Sequence, residues 1–77
     1  MQIKTVSVKL PLADNVKVFV SAVSKYPYDM KLRTGRYVVD AKSILGILSL
    51  DRAKLITMEI YCEDCTDLMT DIKSLVA

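Results

Sequence analysis

Few side chains in this 77-residue sequence are equipped for chemistry. Cys62 and Cys65 enclose Glu63 and Asp64 in a C-x-x-C. Such a pair at the start of a helix lowers a thiol pKa and supports redox chemistry. The competing reading is plain core. Cys62 is in phase with Ile56, Met58 and Ile60, and Cys65 shares a helical stripe with Leu68 and Met69. Both thiols then point inward, where free cysteine behaves as a small hydrophobe. The chain has no histidine. That removes Ser-His and Cys-His pairs, histidine metal ligation and phosphohistidine chemistry. A zinc site takes about four ligands, so two thiols without histidine do not complete one in a single chain. Glu63, Asp64, Asp67 and Asp71 lie on or near one helix, where they complement its dipole and face solvent. None has an acid–base partner in a pocket. No catalytic residue, metal or cofactor is expected. Ser43 is the remaining candidate, a serine directly before the apolar cluster Ile44, Leu45, Ile47 and Leu48.

The elements that would position these residues follow from periodicity. Val6, Val8 and Leu10 alternate with polar residues, which predicts a half-buried strand ended by Pro11. "DNVKVFVSAVSK" fits a strand by its valines, but Val16, Phe19, Val20 and Val23 share one helical face. Asp14 and Asn15, good N-caps just before that run, favour helix. Met30 and Leu32, then Thr34-Gly35, then "RYVVD" predict a β-hairpin. Ser43 has the chemistry of an N-cap, and Gly46 limits the helix behind it to about one or two turns. "DRAK" is a polar loop. Ile56, Met58, Ile60 and Cys62 form the clearest strand. Cys65, Leu68, Met69, Ile72, Leu75 and Val76 predict an amphipathic helix. The order β-α-β-β-α-β-α predicts an α/β (α+β) open-faced sandwich.

Length allows one domain over residues 1–77. The composition is 52% hydrophobic with two glycines, which excludes a disordered tail. A net charge of +2 is too small to argue for nucleic acid or a membrane surface. No apolar run approaches the ~20 residues of a membrane span. Met1-Gln2-Ile3-Lys4 leads straight into a patterned segment, so no signal peptide is expected and the default location is cytoplasmic.

With "DAKSILGILSLDRAK" and "ITMEIYCED" in these places, the chain resembles the HPr family. HPr is the small phosphocarrier of the bacterial sugar phosphotransferase system. The family's second motif reads roughly N-A-K-S-I-M-G-V-M-S-L, and "DAKSILGILSL" matches it nearly position for position. "VFVSAVSKY" also fits the family's pattern. The resemblance implies a four-stranded antiparallel sheet with three helices on one face.

The departures are equally informative. The family's first strand-to-helix junction reads G-[IL]-H-A-R-P-A, with a histidine that carries the phosphoryl group and an arginine that helps hold it. Here the stretch is "LPLADNV". By this alignment Leu12 replaces the histidine, Asp14 the arginine and Asn15 the proline. Leucine has no nucleophilic atom, and a carboxylate repels phosphate. The loop before the last strand is shorter than the family's, which predicts a tight turn after Ala53.

The second family site is kept. Its serine, phosphorylated by a dedicated kinase in some bacteria to make a corepressor for a transcriptional regulator, aligns with Ser43. The residues matching Ile44, Leu45 and Leu48 form a docking patch in the family. One variant class lacks the histidine, keeps the serine and works only in regulation, and this chain is similar to it. The expected function is therefore non-enzymatic protein binding, switched by serine phosphorylation at Ser43. The alternatives are a small thiol-redox protein acting through Cys62 and Cys65, and an adaptor domain that kept only the fold.

Overall fold

The computed structural model describes residues 2–77. Met1, part of the stretch from which no signal peptide is expected, lies outside them. Strand β1 (Ile3–Val8) leads to helix α1 (Ala13–Val23), then to the hairpin β2 (Asp29–Thr34) and β3 (Tyr37–Asp40). Helix α2 (Ile44–Leu48), strand β4 (Ile56–Tyr61) and helix α3 (Thr66–Asp71) complete the order, with a 3₁₀ turn at Lys73–Leu75. The helices cover one face of a four-stranded antiparallel sheet ordered β1-β4-β2-β3. The fold is thus the open-faced sandwich that the pattern predicts.

The most regular alternation in the sequence becomes a central strand. Met58 of β4 faces Val6 on one side and Leu32 on the other, and Ile60 faces Met30. Ile56, Met58 and Ile60 are fully buried, as a strand covered on its inner face requires. The other face of the sheet is mostly polar, with Ile3 and Val38 exposed on it. There Arg33 Nη2 lies 3.4 Å from Glu59 Oε1, and Lys31 Nζ sits 5.7 Å from the centroid of the Tyr61 ring.

The ambiguous valine-rich segment is helical. Its buried residues are Val16, Phe19, Val20 and Val23, the face that helical spacing groups together. Tertiary burial of that stripe overrides the strand propensity of valine. The N-cap is Leu12, so the helix starts earlier than Asp14 and Asn15 suggest. Asn15 still serves the helix start, because its Oδ1 accepts from the Leu12 backbone N–H at 3.0 Å. The hairpin turns on Gly35-Arg36, one residue beyond the pair read from the sequence, with Thr34 opposite Tyr37. Gly35 has φ +55°, which the first position of such a loop demands and glycine supplies at no steric cost.

The C-terminal stripe differs from expectation in continuity. Cys65, Leu68, Ile72 and Leu75 are buried, but the α-helix ends at Asp71 and resumes as the 3₁₀ turn. The turn lets Lys9 N–H donate to the Leu75 carbonyl at 2.8 Å and Val76 bridge to Val8, so the segment closes against β1. Among the described residues no helix is long and apolar enough to cross a membrane.

Candidate functional site

Helix α2 is built around Ser43. Asp40 ends β3 and starts the turn: its Oδ1 accepts from Lys42 N–H at 2.8 Å, and its carbonyl from Ser43 N–H at 3.1 Å. Ser43 is extended (φ −102°, ψ 107°), and its Oγ accepts from Gly46 N–H at 3.1 Å. This satisfies one of the orphan donors of the first turn. Ile47 is the inward residue and is fully buried. Ile44, Leu45 and Leu48 face outward, exposed by 40%, 82% and 38%. Five residues offer only one inward stripe, so the remaining large apolar side chains have nowhere else to go.

Gly46 has a role that its sequence reading, a limit on helix length, misses. A Cβ built there would lie 3.1 Å from Ser43 Oγ and 3.2 Å from Val39 Cβ. The glycine lets α2 approach β3 closely while leaving the serine hydroxyl in place. No periodicity signals this, because the partner is on another element. Lys42, next to the serine, is fixed by donating from Nζ to the Tyr26 carbonyl at 2.7 Å.

The start of α1 is chemically different. Leu12 is 65% exposed, and its side chain carries no acceptor or nucleophile. Asp14 occupies the first turn and is exposed, so its carboxylate takes the position where the helix dipole favours an anion. Arg52 reaches this junction from the loop after α2 and donates from Nη1 to the carbonyls of Leu10 and Pro11 at 3.2 Å each. The sequence reads this loop as polar with a tight turn after Ala53. The turn falls on Arg52 and Ala53 instead, where Ala53 N–H donates to Asp51 Oδ1 at 3.2 Å.

The protein family described as PTS HPr component phosphorylation site matches residues 5–77. The chain belongs to the HPr family. Over 99% of its length it is similar to the crystal structure of a phosphocarrier protein HPr from Bacillus anthracis, at 25% identity, with a TM-score of 0.72 and 96% of that chain covered. It is also similar in fold to HPr-C-His from Thermoanaerobacter tengcongensis, at 23% identity with a TM-score of 0.75, covering 99% of this chain and 91% of that one. The histidine-containing phosphocarrier protein of a Mycoplasma shares the fold at 15% identity with a TM-score of 0.72, covering 95% and 89% of the two chains. No curated protein matches the chain. HPr proteins are phosphocarriers rather than enzymes and work by meeting other proteins of the phosphotransferase system.

The C-x-x-C lies apart from both helix starts, at the junction of β4 and α3. Cys62 and Cys65 are both buried free thiols. Burial, and then the neighbouring Cys65 thiol, push the Cys62 thiol up to about 11. Asp64 between them accepts from Thr66 Oγ1 at 2.7 Å and Thr66 N–H at 3.0 Å, and these bonds hold its carboxyl below the usual range. Two tyrosines brace this HPr segment. Their rings stack at 5.9 Å, Tyr28 Oη donates to the Asp64 carbonyl at 3.1 Å, and Tyr26 Oη donates to Asp71. The Asp71 bond and burial push the Tyr26 hydroxyl up to about 12.

Proposed function

We propose that this HPr-family protein regulates by binding and does not carry phosphohistidine, and that Ser43 is its switch. The observation that carries this reading is the pairing of a cap serine with an outward apolar cluster on α2, while α1 presents Leu12 and Asp14. A phosphoryl group on Ser43 would bring about two negative charges and three acceptor oxygens to a helix start. It would lie beside Ile44, Leu45 and Leu48, and so change the charge of a docking surface without rebuilding the core. Exposed apolar clusters of this kind mark interaction sites. By family resemblance the partners are a serine kinase and a transcriptional regulator. A cytoplasmic setting and a single domain over residues 1–77 go with this reading. Burial and the raised Cys62 thiol argue against the redox alternative.

Two labelling reactions test it. With an HPr serine kinase and ATP, intact protein should gain one phosphoryl group by mass spectrometry, and Ser43→Ala should gain none. With the general phosphotransferase enzyme and phosphoenolpyruvate, neither protein should be labelled. Stable label within residues 11–17 in the second reaction, or none in the first, would sink the proposal.

A further inference from the structure

A cleft of about 160 Å³ opens between the end of β1 and the loop before β4. Lys9, Arg52 and Lys54 line it, with Pro11, Ala53 and Leu55 as apolar walls. No carboxylate lines it. The only ion pair among the described residues is Arg33–Glu59, so all three cations lack an acidic partner. Asp51, the nearest acid in sequence to Arg52 and Lys54, uses its Oδ1 on the Ala53 N–H.

Arg52 separates this cleft from an ordinary scatter of surface lysines. Its guanidinium is half-buried and held at the Leu10 and Pro11 carbonyls by Nη1 alone. Its Nε–H is buried without a partner. A guanidinium carries five donors in a rigid fork, and taking it out of water costs stability unless those donors or its charge are answered. Two carbonyl oxygens answer part of the fork and none of the charge. The structure thus holds a pre-oriented cation at the head of a small cleft, flanked by two exposed lysines.

We propose that this cleft is an anion site that takes one phosphate-sized tetrahedral oxyanion. Its volume suits a group of a few atoms, and three positive charges match a dianion better than a carboxylate. The anion would meet the outer edge of the Arg52 fork, with the Lys9 and Lys54 ammonium groups as point charges. This site is independent of Ser43 and of the regulatory reading.

Two-dimensional ¹H–¹⁵N NMR tests it on the intact protein at neutral pH. Inorganic phosphate is titrated against sodium chloride and sodium acetate of matched ionic strength. Phosphate should give saturable shifts confined to Lys9, Leu10, Leu12, Arg52–Leu55 and the Arg52 Nε–H. Acetate should bind several-fold more weakly. Lys9→Gln and Lys54→Gln, both at exposed positions, should keep the fold and each weaken phosphate about threefold. Arg52→Gln should weaken it about tenfold or more. Shifts that chloride reproduces, acetate binding as tightly as phosphate, or unchanged affinity in both lysine variants would each overturn the site, whether or not Arg52→Gln folds.

Discussion

The first helix begins at a leucine and the second at a serine, and this contrast organises the molecule. At α1 the cap side chain accepts nothing, Asn15 reaches back to the Leu12 N–H, and Asp14 fills the turn that attracts anions. At α2 the Ser43 hydroxyl receives the Gly46 N–H, the first turn holds no acid, and apolar side chains stand outward. Both starts are surface features on one scaffold, so either can change chemistry without disturbing Phe19, Ile47 or Met58 beneath them. One scaffold thus presents two helix starts of different chemistry.

The largest effect should separate the two faces of α2. Ile47→Ala removes a fully buried side chain and should cost about 2–5 kcal/mol in urea unfolding. Leu45→Ala, at an 82% exposed position, should stay within about 0.5 kcal/mol. If Leu45→Glu unfolds the protein, the outward cluster is core and the contrast between the helix starts collapses. Next in size is recognition. If α2 is the docking face, Leu45→Glu should cost a captured partner about 2 kcal/mol or more, measured by calorimetry. Leu12→Glu should cost it clearly less, and equal losses would make the two helix starts one surface.

The caps give a smaller and opposed pair of effects. Ser43→Ala should destabilise by about 1 kcal/mol through loss of the bond from Gly46. Leu12→Ser should do the reverse, stabilising by up to about 1 kcal/mol, because it supplies an acceptor where none exists. A thermal shift of the same sign in both variants would show that side-chain capping is not what distinguishes them.

Most of the architecture was legible because the buried positions repeat. Val16, Phe19, Val20 and Val23, or Ile56, Met58 and Ile60, recur at helical or strand spacing, and burial follows that spacing. That a short helix leaves apolar side chains outward was legible too, but not how many: Ile47 with either Ile44 or Leu48 could fill its one inward stripe, and Ile47 alone is buried there. The rest depends on contacts across elements. Asn15, a cap by residue type, serves instead as the reach-back partner of Leu12. The break at Ile72 follows from bonds that the turn makes to β1, and the need for Gly46 from Val39 on β3. In sequence Arg52 is one more loop charge, because nothing local says that Leu10 and Pro11 lie beside it.

The last effect, seen only at alkaline pH, concerns the region outside that contrast. The Cys62 thiol rises from its ordinary 9.0 to about 11, chiefly through burial. A group whose folded-state pKa is raised keeps its proton longer in the native state than in the unfolded chain. Its stabilising contribution is complete below 9 and is lost as pH climbs through 11. Stability should therefore fall with rising pH in that window, and Cys62→Ala should flatten the fall. Tyr26, pushed up to about 12, contributes a decline of the same sign at slightly higher pH, so the comparison is made in a Tyr26→Phe background. Alkylation of native protein near neutral pH should likewise be slow at both cysteines, since the thiolate is the reactive form and neither thiol is open to solvent. Rapid modification at neutral pH would show that the junction of β4 and α3 opens readily. The C-x-x-C would then stand beside α2 as a second functional region.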